Sequence, residues 1–422
     1  MGTGAELKQS GEARIPSPRL TIDVPLLVCV VVLLVFGMLM MTSASWSASI
    51  WISEAETGVS SPWYLFFRQT RYLLLGLVLM GVAARVDYHR WRTPAVYLWL
   101  LTLVSLVLVL VIGDQTGTTR RSFLNGSIQP SELAKFVIVL YLAVWLDAKR
   151  EVLNTWAFGL LPAMIIVGMY AGFIAAQPDL SATLMVMILG LMMYFLAGTS
   201  MLLNAVLTGG AALVGYVVLR YNFTGISRVD EFRAGMEDIL SSSPHVRHAL
   251  VAFVRGGWFG VGIGNSSTKL TTLPFPHTDS VFAVVGEELG VFGAVLVVGL
   301  FALLAWRGLV IASRAPDGLG ALLASGLTLW IVLEAYMNMA SLLGVMPFAG
   351  NSLPFFSVGG SNLVVSLLAL GIVLNVSRQA ERRQIEETRR MFVDAIVSLR
   401  RRDGWRRVSR ARRDRARQRP AP

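Results

Sequence analysis

The chain has 422 residues, 55% of them hydrophobic and only 15% charged, with one cysteine and a formal net charge of +11. A water-soluble domain of this size carries charge at roughly a quarter of its positions, so the composition excludes most soluble classes. The excess charge is local: residues 378–422 hold 16 Arg against 6 acidic residues, which leaves 21 basic and 20 acidic residues in the other 377.

Residues 1–22 read as a short cytoplasmic segment. The first apolar run begins only near Pro25 and is long enough for a full span, so it is expected to be a retained helix rather than a cleaved signal. Glu6 stands where the myristoylation pattern requires Ser or Thr. Cys29, alone in that run, has no partner for an intramolecular disulfide and is expected to pack in the interior.

A spanning helix needs about 20 largely apolar residues. Stretches 25–52, 93–113 and 152–178 lack Asp, Glu, Lys and Arg and suit one span each; 180–219 and 335–377 are long enough for more. The first of these breaks at Gly198-Thr199-Ser200. The second completes a span begun near Gly318, passes through a loop around 347–354, and carries another span over 356–376. Three further spans hold charges: 66–84 with Arg68 and Arg71, 131–145 with Glu132 and Lys135, and 281–306 with Glu287 and Glu288. The expectation is an all-α polytopic membrane protein of about ten transmembrane helices, its membrane domain covering 23–377.

Arg85, Arg90 and Arg92, then Lys149 and Arg150, then Arg307 and Arg314, fall in alternate connections. Basic residues in short loops mark the cytoplasmic side, which places both termini in the cytoplasm and a large extracytoplasmic loop, about residues 220–280, between helices 7 and 8. The tail 378–422 repeats Arg-Arg with Ile385, Met391, Phe392, Ile396 and Leu399 interleaved. A short amphipathic helix on anionic phospholipids explains it, and the positive-inside rule favours this over nucleic-acid binding; no nucleic-acid partner is expected.

Ionisable groups kept in or beside hydrocarbon are the informative ones. Gln129-Pro130-Ser131-Glu132 opens one span, with Glu132 and Lys135 three apart on one helical face. That pair is either an internal ion pair that positions the helix or a substrate contact. Asp179, in Gln177-Pro178-Asp179-Leu180, is placed to cap the next helix.

The outer loop ends with Gly260-Val261-Gly262-Ile263-Gly264-Asn265-Ser266, then Lys269, then His277-Thr278-Asp279. Asp279 beside His277 and Lys269 at the membrane boundary is a candidate catalytic group, or else the N-cap of the following span. The alternating glycines lack the preceding strand of a phosphate-cradling loop. A third cluster, Asn338, Gly344, Pro347 and Gly350 followed by residues 353–362, implies broken helix against a pocket.

With these motifs, from about Asp23 to Asn375, the chain resembles the SEDS family (shape, elongation, division and sporulation), polytopic enzymes that polymerise peptidoglycan from lipid II. Ser43-Ala44-Ser45, the Gln129 and Gln177 motifs, the segment 260–293 and Leu353-Pro354-Phe355 to Ser361 carry the resemblance. The form of 264–279 is similar to the division branch more than the elongation branch. The chain departs from the family at Ser280, Val358, Arg120-Arg121-Ser122, His245, His248 and Glu334, the last standing where Gln is common.

The resemblance implies a lipid II glycosyltransferase of the bacterial cytoplasmic (inner) membrane. Asp279 would be its catalytic residue, with Lys269, His277, Glu132, Lys135, Ser361 and Asn265 as substrate contacts. Nothing has the spacing of a His/Cys metal site, so any metal would be a hard divalent cation, Mg2+ or Mn2+, on carboxylate and phosphate oxygens. Implied partners are a class B penicillin-binding protein (FtsI-like) transpeptidase and other divisome proteins. The competing readings are a lipid II flippase, an elongation-type polymerase, and a divisome scaffold with degenerate chemistry.

Overall fold

The structure is a computed structural model that describes residues 23–116, 119–123, 129–221 and 223–417. The apolar runs become α1 (Val24–Thr57), α2 (Tyr64–Arg85), α3 (Arg92–Ile112), α4 (Pro130–Ala148), α5 (Leu161–Ala176), α6 (Leu180–Leu196), α7 (Met201–Tyr221), α11 (Val281–Ser313), α12 (Gly318–Leu342) and α13 (Gly360–Arg417). Eight helices among the described residues are long and apolar enough to cross a membrane. The other two of these ten are α6, at 17 residues short of that length, and α4, which carries Glu132, Lys135 and Asp147. Ten long helices therefore form the membrane body.

Some boundaries differ from expectation. Ser43-Ala44-Ser45 does not end the first helix, because α1 continues to Thr57 and closes only at Gly58, in the left-handed region with φ 73°. The last helix begins at Gly360, so Phe355 and Phe356 are not in it; they are buried in the turn before it, where Phe356 packs edge-on against Phe36 of α1. The all-helical expectation has one exception among the described residues, an antiparallel hairpin of β1 (Asp114–Thr116) and β2 (Thr119–Ser122) that contains Arg120 and Arg121.

The long outer segment is not an open loop. It folds into α8 (Phe223–Glu237), α9 (Pro244–Gly256) and α10 (Thr268–Thr271). Ser243 caps α9 by accepting from the Val246 N–H, and the helix buries Val246, Ala249 and Ala252 while Val254 stays exposed. Sequence periodicity in α9 was hidden between two long membrane spans.

One end of the membrane body collects the basic connections. Arg92 pairs with Asp147 at 2.8 Å, Arg307 with Asp23 at 2.5 Å, and His89 with Asp317 at 2.6 Å. The amide of Asn375 in α13 joins the same end, donating to the Ala84 carbonyl while its oxygen accepts from the Tyr88 N–H. Residues 23–377 form one compact unit, and residues 1–22 with 378–422 a second. In the second unit the described tail residues 378–417 are helical, with Arg383 and Glu387 paired one turn apart at 3.1 Å.

Candidate active site

At the opposite end, α4, α6, α12 and α13 start or finish around a polar cavity of about 260 Å³. Its lining includes Glu132, Lys135, Asp179, Asp279, Glu334, Gly350 and Ser361. Four residues singled out from sequence, Asp279, Glu132, Lys135 and Ser361, thus meet in one space although they lie up to 229 positions apart.

The cavity floor is a buried ion network. Lys135 donates to Glu132 at 2.9 Å and to Glu334 at 2.6 Å; Asn362 donates to Glu132 at 2.6 Å and to Glu334 at 2.9 Å. The indole N–H of Trp330, one turn before Glu334, donates to its other oxygen at 2.9 Å. Every strong group in the network therefore has partners, the condition for ionised side chains to persist away from water. Glu132 and Lys135 are both an ion pair and cavity lining, so the two readings left open for them coexist.

Asp179 acts as the expected cap, accepting from the Ala182 N–H at 3.1 Å. Its carboxylate also accepts from Gln129 at 3.3 Å, Ser131 at 3.2 Å and Ser181 at 3.1 Å. The starts of α4 and α6 are tied through this one side chain.

Asp279 does not cap α11. Ser280 occupies the cap position and no side chain closes the first turn. Instead three consecutive carbonyls of the motif are each claimed by a separate donor. The His277 carbonyl accepts from the Val358 N–H at 2.8 Å, that of Thr278 from the Ser357 hydroxyl at 2.5 Å, and that of Asp279 from the Asn338 amide at 2.9 Å. The backbone is thereby fixed while the Asp279 side chain faces the cavity. The broken segment 353–359, read from its Pro and Gly, supplies two of those three donors.

Lys269, Asn265 and His277 line other surroundings. Lys269 donates to Glu288 at 2.6 Å, to Ser43 of α1 at 2.8 Å and to the Gly264 carbonyl at 2.9 Å. Asn265 donates to the Val261 carbonyl at 3.2 Å. The His277 ring is largely buried with Nδ1 lacking a hydrogen bond, and burial, with Arg68 adding repulsion, lowers its pKa to about 4. None of the three lines the polar cavity around Asp279.

The glycine segment has a mechanical task. Helix α11 breaks at Gly290, where φ is 67° and ψ is −162°. The break frees backbone groups, and the outer segment takes them: Val261 and Gly262 N–H groups donate to the Glu287 and Glu288 carbonyls, both at 3.0 Å. The N–H groups of Val291 and Phe292 donate in turn to Gly257 and Trp258 carbonyls at 2.9 and 3.3 Å. Such a close approach requires glycine, since a Cβ on Gly290 would stand 2.5 Å from Gly260 N and Trp258 O. Beneath it the Glu287 carboxylate accepts from the hydroxyls of Ser266, Ser267 and Thr268 and from the backbone N–H groups of Ser267 and Thr268. The glycines splint a broken helix.

Glu334 and Arg228 are the site residues that sequence reasoning missed. Glu334 had been marked as a departure from Gln, a signal in retrospect. Arg228 of α8 donates to the Ala349 carbonyl at 3.3 Å and stands 6.0 Å over the Phe348 ring. His245 stacks on the same ring at 4.2 Å, and burial, with Arg228 adding repulsion, lowers its pKa to about 4. Among the described residues, no group of three His, Cys, Asp or Glu side chains is arranged to hold a metal ion.

Comparisons with known proteins agree with this architecture. The profile of the FtsW/RodA/SpoVE family, described as cell cycle protein, matches residues 24–382. A probable peptidoglycan glycosyltransferase FtsW of Coxiella burnetii is 37% identical over 369 residues, covering 85% of this chain and 97% of that protein. Stage V sporulation protein E of Bacillus subtilis is 35% identical over 362 residues, covering 84% and 97%. Among solved structures, a chain of a peptidoglycan synthase complex that coordinates polymerization and crosslinking superposes with a TM-score of 0.68 at 28% identity, covering 86% and 99%. The rod shape determining protein RodA of Thermus thermophilus gives a TM-score of 0.62 at 27% identity, covering 86% and 98%. With its matched residues reaching from the start of α1 into α13 and ten long helices around the Asp279 cavity, the chain belongs to the FtsW/RodA/SpoVE family of multi-pass membrane proteins.

Proposed function

We propose that the chain is a peptidoglycan glycosyltransferase that polymerises lipid II, and that Asp279 is its catalytic residue. The observation that carries the reading is the Asp279 side chain, on a backbone pinned at three successive carbonyls, facing a polar cavity in a chain whose relatives are named for that activity. Glycosyl transfer from a lipid diphosphate asks for one base and a stabilised leaving group, since the diphosphate departs as an anion. Asp279 takes the proton of the acceptor's GlcNAc 4-hydroxyl as that oxygen attacks the anomeric carbon of the donor's MurNAc. The bond to the diphosphate breaks, the carbon inverts, and a β-1,4 link and undecaprenyl diphosphate result.

The buried Lys135 network forms the wall below Asp279 and gives the cavity a fixed shape. The residues present do not make a resident metal site, and the proposed step uses the chain's own groups. Septal synthesis in division is the branch favoured by the names of most similar relatives, with elongation the competing one. The basic connections gathered at the end away from Asp279 support cytoplasmic termini, and the 16 Arg of the tail suit the anionic inner leaflet. A single-span class B transpeptidase is the proposed partner, in keeping with the synthase complex that the fold matches.

The test is polymerisation of purified lipid II by the reconstituted protein, with and without that partner, against Asp279→Ala. Glycan strands from the wild type and none from the variant are expected. Equal polymer from the variant would overturn the role of Asp279.

A further inference from the structure

A second cavity lies against the first. It is an apolar groove of about 190 Å³ between α6, α7, α8 and α12, walled by Leu184, Met187, Val218 and Leu219. Ser181 and Met337 line both spaces, so the two are neighbours that share a wall. Arg228 lines the groove. Gly350, with φ +64°, stands between: a Cβ there would meet an Arg228 Nη2 at 3.6 Å and an Asp279 Oδ2 at 3.8 Å. The missing side chain leaves a window with the guanidinium on one side and the carboxylate on the other.

The other cations weighed for this role from sequence are committed elsewhere. Lys135 is held between two glutamates and Lys269 is buried on Glu288 away from the cavity. We propose that Arg228 is the diphosphate-binding residue of the donor site, receiving a prenyl diphosphate whose apolar chain approaches along the α6–α8–α12 groove, and that Gly350 keeps open the passage from that diphosphate to Asp279. This rests on the polymerase reading and adds a residue, a ligand chemistry and a route to it. A planar guanidinium matches paired phosphate oxygens, and at the end of a groove screened from water it favours a diphosphate over a monophosphate.

The experiment measures binding of a C20 prenyl diphosphate and the matching monophosphate to the full-length protein in detergent. Wild type should prefer the diphosphate by about tenfold or more, as a charge-assisted contact to the second phosphate requires. Arg228→Ala should lose most of that preference while its monophosphate affinity and thermal midpoint hold, and Arg228→Lys should recover part of it. Gly350→Ala should keep diphosphate binding and lose polymerisation. A full diphosphate preference in Arg228→Ala, or a change confined to the pH profile of polymerisation, would overturn the proposal. Asp279→Ala separates the two readings: it should bind the diphosphate like wild type and make no polymer. If Asp279→Ala polymerises, the catalytic assignment fails alone; if Arg228→Ala keeps its preference while Asp279→Ala is inactive, the diphosphate assignment fails alone.

Discussion

The ammonium of Lys135 lies 2.6 Å from Glu334, a residue 199 positions away, while its nearer partner Glu132 sits 2.9 Å off on the same helix. Two carboxylates and one ammonium share this buried site, with Asn362 bridging both acids. The network joins α4, α12 and α13 at the level of the Asp279 cavity.

Removing the Glu334 carboxyl leaves Trp330 and part of Asn362 without an acceptor. Glu334→Ala should destabilise the protein by about 3–5 kcal/mol, the range for breaking a buried charged pair. Glu334→Gln keeps one acceptor for Lys135 but turns an amide donor toward the Trp330 N–H, so about 1–3 kcal/mol is expected. Thermal unfolding of the detergent-purified variants ranks the two; equal losses would show that the Trp330 bond and the ion pair matter alike.

Lys269 and Glu288 offer a cleaner case, because both are buried and paired at 2.6 Å. Lys269→Met alone strands a carboxylate and should cost about 3–5 kcal/mol, whereas Lys269→Met with Glu288→Leu should recover much of the loss. A double-mutant cycle on unfolding midpoints reads the coupling. Additive losses would contradict a mutual pair.

Gly290→Ala places a methyl 2.5 Å from the Trp258 carbonyl and demands a positive φ. The backbone bonds from 261 and 262 to 287 and 288 should open, and hydrogen exchange at the Val261, Gly262, Val291 and Phe292 amides should rise by at least an order of magnitude. Unchanged protection would mean that the segment is held by its side chains instead.

His277 and His245 give a pH signature. Both imidazoles are pushed to about 4, chiefly by burial, below the ordinary value of 6.5. The unfolded chain therefore binds protons first: the stability from keeping the rings neutral is complete above pH 6.5 and is lost as pH falls toward 4. Unfolding midpoints between pH 7.5 and pH 4.5, values set by the two titration ranges, should fall less steeply in His277→Gln and His245→Gln than in wild type. Parallel curves would show that these rings titrate as exposed imidazoles do.

The ten spans were legible because hydrocarbon demands long uncharged runs, and even α4 showed through its three charges as Gln129-Pro130-Ser131 followed by apolar sequence. Asp279, Glu132, Lys135 and Ser361 were legible as ionisable or polar groups kept where they are costly. Glu334 was harder to read, since its meaning lies in a partner on another helix and nothing local announces it. Arg228 lay in a segment read as a loop; only its fold into α8, beside Phe348 and Gly350, gives the side chain a site. Lys269 was rightly seen as unusual, yet an unusual cation can be consumed by architecture, as its bonds to Glu288 and Ser43 show.

The break at Gly290 divides α11 into two levers with separate attachments. The short upper arm, which starts beside Asp279 and carries Glu287 and Glu288, is bolted to the outer segment through backbone and side-chain bonds. The long lower arm packs in the membrane body, where Phe301 and Leu304 are buried. Asp279 therefore rides with the outer cap. A load applied to α9 or the glycine segment reaches the carboxylate without crossing the joint, so the outer cap is the handle by which the cavity can be reshaped.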